Sequence, residues 1–284
     1  MKRGWIAGLV AVALCAWTSV ASAGPVILAG HDADDHGFTT VYDDLFNSLL
    51  TNVTNGQDGI LAIGANTSST ASSWITTVGG LMTSPQTVTF VNDAAISSVD
   101  FSTYAILHIP SDFSNTGGGI SATENALLTA RADDIAAFVN GVGGLFGLTQ
   151  GSLADAYGYI TGTGGLGSIT TLFAPSSGSI PGGFYDNVDA TVAGGLVGLT
   201  DTNVDGCCWH NVFLTYPSFL SVLATADEPA ASAFNGQAAV LGGAAVTITP
   251  ITPVVPEPTS MLLFGLGGLG AGLARRRRNK LGNV

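Results

Sequence analysis

Two histidines and three carboxylates lie within six residues: His31, Asp32, Asp34, Asp35 and His36. Imidazole and carboxylate together suit zinc, manganese or iron, whereas carboxylates with carbonyl oxygens suit calcium. The spacing matches no established metal motif, and it lacks the Asp-x-Asp-x-Asp-Gly ladder of an EF-hand loop. A plainer use exists for the same residues. Asp34 or Asp35 can cap the following helix and complement its dipole, leaving the histidines to pack and hydrogen-bond. Three further polar stretches hold His108, Ser111 and Asp112; Thr149 and Gln150; and Asp205-Gly-Cys-Cys-Trp-His210. The expected ligand or metal pocket is therefore His31, Asp32, Asp34, Asp35, His36, His108, Asp112, Gln150 and His210. A divalent cation is the cofactor such a set admits. All four histidines are expected in loops and none in a helix.

The elements that must position these groups follow from periodicity. Pro25–Gly30 is a short continuous apolar run, the pattern of a strand buried on both faces, and Gly59–Gly64 is expected as a second strand. Thr87–Val91, Tyr104–Ile109 and Gly143–Leu148 are expected as further strands. Helical spacing is expected over 38–50, with Val41, Leu45, Phe46, Leu49 and Leu50 on one face, and over 71–82, with Trp74, Ile75, Val78 and Leu81 inward. Ser121-Ala-Thr-Glu124 is a capping box that opens a helix running to about Asn140, where Gly141 stops it. Strands alternating with helices predict an α/β domain with a mostly parallel sheet. Ligands then bind beyond the carboxyl ends of the strands, where the polar stretches fall. Ser152 to Cys208 is Gly-rich, and loops with a short hairpin are expected there. Phe213–Tyr216, Phe219–Ala224 and Ala238–Ile248 are expected as later strands.

Cys207 and Cys208 are adjacent. In an oxidising compartment they can close a strained vicinal disulfide, pair between molecules or stay as thiols. The pair alone supplies too few ligands for a thiolate metal site.

The first strand followed by its polar loop, the strand ending at His108-Ile-Pro110, and the long helix running into Val142-Gly-Gly-Leu-Phe146 are similar to the flavodoxin-like domains of the class I glutamine amidotransferase and ThuA-like group. The resemblance covers about residues 25–150. It implies a single flavodoxin-like domain and a hydrolase ancestry. That group's nucleophile sits in Gly-x-Cys-x-Gly, and the matching spot here reads Gly147-Leu-Thr-Gln-Gly151. Thr lacks the acidity of Cys and needs a strong base, so no catalytic residue is assigned.

Both chain ends carry address signals. Lys2 and Arg3, an apolar core and Ala21-Ser-Ala23 form a signal peptide over residues 1–23, cut by signal peptidase before Gly24. At the other end, Val255-Pro256-Glu257-Pro258 precedes an apolar stretch over 259–274 and then Arg275, Arg276, Arg277 and Arg278. The arginines are expected to stay cytoplasmic, and the stretch, short for a bilayer crossing, is a temporary transmembrane anchor in the inner membrane. This segment, 253–284, resembles the PEP-CTERM sorting signal of Gram-negative bacteria that make exopolysaccharide. The resemblance implies processing by an exosortase and delivery to the cell surface or extracellular matrix.

Between Gly24 and Val255 one basic residue, Arg131, faces nineteen acidic ones, a formal charge of −18. Such a surface repels nucleic acid, which needs cationic side chains on its phosphates, and attracts divalent cations. The reading is thus an acidic secreted domain, 24–252, non-catalytic and associated with exopolysaccharide. Two alternatives are a degenerate amidotransferase-like or metal-dependent enzyme using the His31–His36 loop, and a carbohydrate-binding module presenting Tyr157, Tyr159 and Trp209.

Overall fold

Apolar side chains alternate along the central strands, and the alternation sorts them into two cores. A computed structural model describes residues 23–37, 39–64, 69–111, 118–149, 156–161, 167–173, 187–206 and 209–243. The first half runs β1 (Val26–Ala29), α1 (Ala33–His36), α2 (Tyr42–Asn52), β2 (Ile60–Ile63), α3 (Thr70–Leu81), β3 (Val88–Val91), β4 (Ile106–Ile109), α4 (Ala122–Thr129), α5 (Ala132–Asn140) and β5 (Gly144–Leu148). The second half runs α6 (Gly158–Thr161), β6 (Thr170–Phe173), β7 (Val188–Ala190), α7 (Val192–Gly195), α8 (Asp201–Val204), β8 (Asn211–Thr215), β9 (Ser221–Ala226) and β10 (Ala238–Gly243).

Ile27, Ile60, Ala62, Ile106 and Phe146 pack on one face against Leu45, Phe46, Trp74 and Ile75 of α2 and α3. Leu28, Leu61, Ile63, Leu107 and Leu145 pack on the other against Leu128, Ile135, Phe138 and Val139 of α4 and α5. Side chains of successive strand residues point to opposite faces, so helices on both sides explain the unbroken apolar runs. β1, β2, β4 and β5 are buried along their whole length, while β3, at one end of the strand order, is partly exposed.

The mostly parallel sheet holds for only half of the strands. β3, β2, β4, β5 and β1 are joined in that order by parallel pairings. Every pairing of β6 to β10 is antiparallel. Strands closed by short connections return antiparallel, whereas parallel neighbours need a crossover, and among the described residues the second half has only four-residue helices. The order also departs from the flavodoxin-like arrangement, in which the first strand lies between the second and third. Here β1 lies beyond β5.

Three more expectations change. Leu81, expected inward, is exposed at the end of α3. The helix from Ser121 to Asn140 is two helices. Its capping box is present, with Ser121 Oγ accepting from the Glu124 amide at 3.2 Å and Glu124 Oε2 accepting from the Ser121 amide at 2.9 Å. The break falls at Ala130–Arg131. There the Arg131 guanidinium turns away to donate to the carbonyls of Ile96 and Val99, both at 2.7 Å. The hairpin expected between Ser152 and Cys208 is absent among the described residues, since β6 pairs with β8 and β7 with β9. No helix among the described residues is long and apolar enough to cross a membrane. The expected signal peptide (through Ser22), the 259–274 anchor, Val255–Pro258 and Arg275–Arg278 lie outside the described residues.

Candidate functional site

β10 is where the two halves of the sheet meet. It pairs β1 through Ala29↔Val240 and β8 through Ala238↔Phe213, with β9 on its other edge. β8 therefore continues the line of β1, and the chain must pass from one to the other at close range. Gly30 makes that possible. Its carbonyl accepts from the amides of His210 and Asn211 at 2.9 and 3.0 Å. A Cβ on Gly30 would stand 1.8 Å from the Asn211 carbonyl oxygen, so only glycine fits. His31 and Trp209 form a single antiparallel bridge beside this clamp.

The clamp carries His210 to the loop after β1. Its Nε2 lies 3.1 Å from Oδ2 of Asp32, and Nε2 of His36 lies 3.2 Å from the same oxygen. Asp32 and His210 are buried, whereas the His36 side chain is 40% exposed. Asp35 stands next to them; one ligand atom each from Asp32, Asp35 and His36 falls within 4.8 Å of the others. Oδ1 of Asp32 is buried and has no hydrogen-bond partner among the described residues. His36 closes α1, one turn after Asp32, so the expectation that no histidine is helical is corrected.

The remaining candidates separate from this group. Asp34 points inward and accepts from the Ser111 amide at 2.9 Å. Burial raises its pKa to about 7, against the lowering effect of the Ser111 hydrogen bonds and with a further rise from the Asp32 charge. His31 stacks on Trp209 at 4.4 Å between ring centroids and shares a hydrogen bond with the Tyr42 hydroxyl. Burial keeps that phenol neutral far above its usual range, aided by the charges of Asp34 and Asp32. Val41, just before it, holds φ 75°, a costly conformation for a β-branched residue. A cavity of about 170 Å³ opens beside His31, Tyr42, Trp209, Asn203 and Asp205, smaller than the several hundred Å³ of typical ligand pockets.

His108 is no loop residue but part of β4, fully buried between Phe46, Trp74 and Phe146 at ring distances of 5.6 to 5.9 Å. Neither ring nitrogen has a partner of hydrogen-bond geometry among the described residues. Burial drives its pKa down to about 3, opposed only by the Phe146 backbone. Asp112, Gln150, Cys207 and Cys208 lie outside the described residues. Sequence reasoning did not single out Tyr42 and read Gly30 only as the end of a strand; the signal for both was their place beside the polar loop.

Tyr157, Tyr159 and Trp209 are all buried, at 3%, 0% and 2% exposure. The aromatic platform of a carbohydrate-binding module is therefore not formed by these three, and that reading loses its support.

Residues 254–278 match the family model of the PEP-CTERM protein-sorting motif. No curated protein and no solved structure matches the chain. The amidotransferase-like resemblance of the central domain thus finds no support in these comparisons, while the C-terminal segment is a PEP-CTERM motif, which implies export and sorting by an exosortase.

Proposed function

We propose that this chain is a cell-surface or extracellular-matrix protein of a Gram-negative bacterium, freed of its leader by signal peptidase and processed by an exosortase at Val255–Pro258. The match of residues 254–278 to the sorting motif carries this reading. The delivered part is the acidic domain 24–252, held only transiently at the inner membrane through 259–274. It acts as a non-catalytic binding component associated with exopolysaccharide. Its charge of −18 favours association through divalent cations that bridge the two acidic partners. The enclosure of His108 among aromatic rings supports the non-catalytic reading, because a general base must reach the proton it removes.

The test is fractionation of cells that carry an exosortase. The full chain with an internal epitope should appear at the surface, and a chain lacking residues 255–284 should stay in the periplasm. Surface delivery of the shortened chain at the same level would overturn the sorting route. For the matrix association, the processed protein should co-sediment with purified exopolysaccharide and be released by chelator.

A metal-dependent hydrolase is the second reading, favoured by the approach of His36 and His210 to one carboxylate. Turnover of amide or ester substrates that requires an added divalent ion and is lost in His36→Ala would support it over the binding role.

A further inference from the structure

The structure assigns Asp32, Asp35 and His36 as the ligands of one divalent transition ion of the zinc type, with His210 holding the Asp32 carboxylate. The inference stands on side-chain geometry and on neither reading of function.

Ligand atoms on a common tetrahedral ion at about 2.0–2.2 Å are roughly 3.3–3.6 Å apart. The His36 imidazole already stands close to that separation from Asp32 Oδ2, at 3.2 Å. The N-cap position and the single turn of α1 supply Asp32, Asp35 and His36, and their ligand atoms converge within 4.8 Å. His210, outside that group, approaches Asp32 Oδ2 at 3.1 Å from the entry to β8 and is fixed by the bond from its amide to the Gly30 carbonyl at 2.9 Å. The ligands thus come from one helical turn, braced by one clamped strand.

The second observation is Asp32 itself. Its Oδ1 is wholly buried without a hydrogen-bond partner among the described residues. A buried carboxylate oxygen left unpaired is costly. An ion held by both oxygens of this carboxylate removes the cost. One imidazole nitrogen and two carboxylates match zinc, and also manganese, whereas calcium prefers six to eight oxygens. Entry is from the side of His36, whose ring is 40% exposed. The one-sided approach leaves a coordination position for water or for a polysaccharide oxygen.

The test uses the full chain in detergent with a tag free of histidine, stripped by chelator and then titrated with zinc, manganese or calcium chloride. Elemental analysis after dialysis should find one zinc per chain, and calorimetry should show saturable binding of the same stoichiometry. The melting temperature should rise by several degrees at about a hundredfold excess over Kd. His36→Ala, chosen because its exposed ring can be removed without disturbing the core, should weaken zinc binding by tenfold or more. Asp35→Asn should weaken it less. The Cys207→Ser, Cys208→Ser double variant should bind as the parent does, and the cobalt-loaded protein should show visible bands of nitrogen and oxygen ligation without thiolate absorption. The assignment is overturned by any of three results: no saturable zinc or manganese binding, binding by His36→Ala equal to the parent, or binding that disappears with the cysteine pair.

Discussion

Asp32 and His210 are 178 positions apart in the chain, yet Oδ2 of one lies 3.1 Å from Nε2 of the other. A loop after the first strand and the entry to the eighth share one carboxylate. The contact ties the parallel half of the sheet to the antiparallel half at the point where β8 takes over from β1.

Replacing that carboxylate should be costly even without metal. Asp32→Ala leaves two imidazoles, one of them buried, without their shared acceptor. A loss of about 2–3 kcal/mol is expected, the usual scale for hydrogen bonds to a charged group. Urea unfolding in the presence of chelator measures it. A loss under half a kcal/mol would mean that the contact contributes nothing to the fold.

Gly30 should tolerate no side chain. Gly30→Ala places a Cβ 1.8 Å from the Asn211 carbonyl oxygen, and backbone cannot yield as a flexible side chain does. We expect a cost of about 1–3 kcal/mol, together with weaker zinc binding as His210 is pushed from Asp32. Urea unfolding and calorimetric titration of the same preparation separate the two effects.

His108 should set part of the acid sensitivity. It titrates near 6.5 when unfolded and at about 3 in the fold, because burial disfavours the charged ring. Between those values the unfolded chain holds more protons, so stability falls as pH drops from 6.5 toward 3. The slope is at most about 1.4 kcal/mol per pH unit. His108→Leu removes the titration and the two unpaired nitrogens. Its stability profile should be flatter below pH 6.5, with stability at pH 5 at or above that of the parent. An unchanged slope would assign the acid sensitivity to other groups.

Arg131 should resist conservative replacement. Its guanidinium donates to Ile96 and Val99, pairs with Asp134 Oδ2 at 2.8 Å and lies 3.9 Å over the Phe101 ring. Lysine offers a point charge and cannot reproduce the planar fork. Arg131→Lys should cost about 1–2 kcal/mol by thermal or urea unfolding, far above the effect of a typical surface exchange.

The sequence determined the address and the local elements. Pro256-Glu257-Pro258, the apolar stretch and the four arginines are contiguous, so their meaning needs no fold. Ser121 and Glu124 announced a helix start because a cap acts over three residues. The run at 26–29 announced a strand buried on both faces because such burial removes the polar alternation, and 60–63, 106–109 and 144–148 were legible as strands. The cluster from His31 to His36 was visible for the same reason of nearness. Tertiary structure alone decided the rest. Strand order depends on which edges meet, and no periodicity records that β1 lies beyond β5 or that the second half returns antiparallel. His108 and His210 read alike as polar residues beside apolar runs; packing sent one into an aromatic core and the other to Asp32. That division rests on Gly30, whose missing side chain lets two backbones approach, a requirement set by a neighbour about 180 residues away (His210 and Asn211) and therefore invisible along the chain.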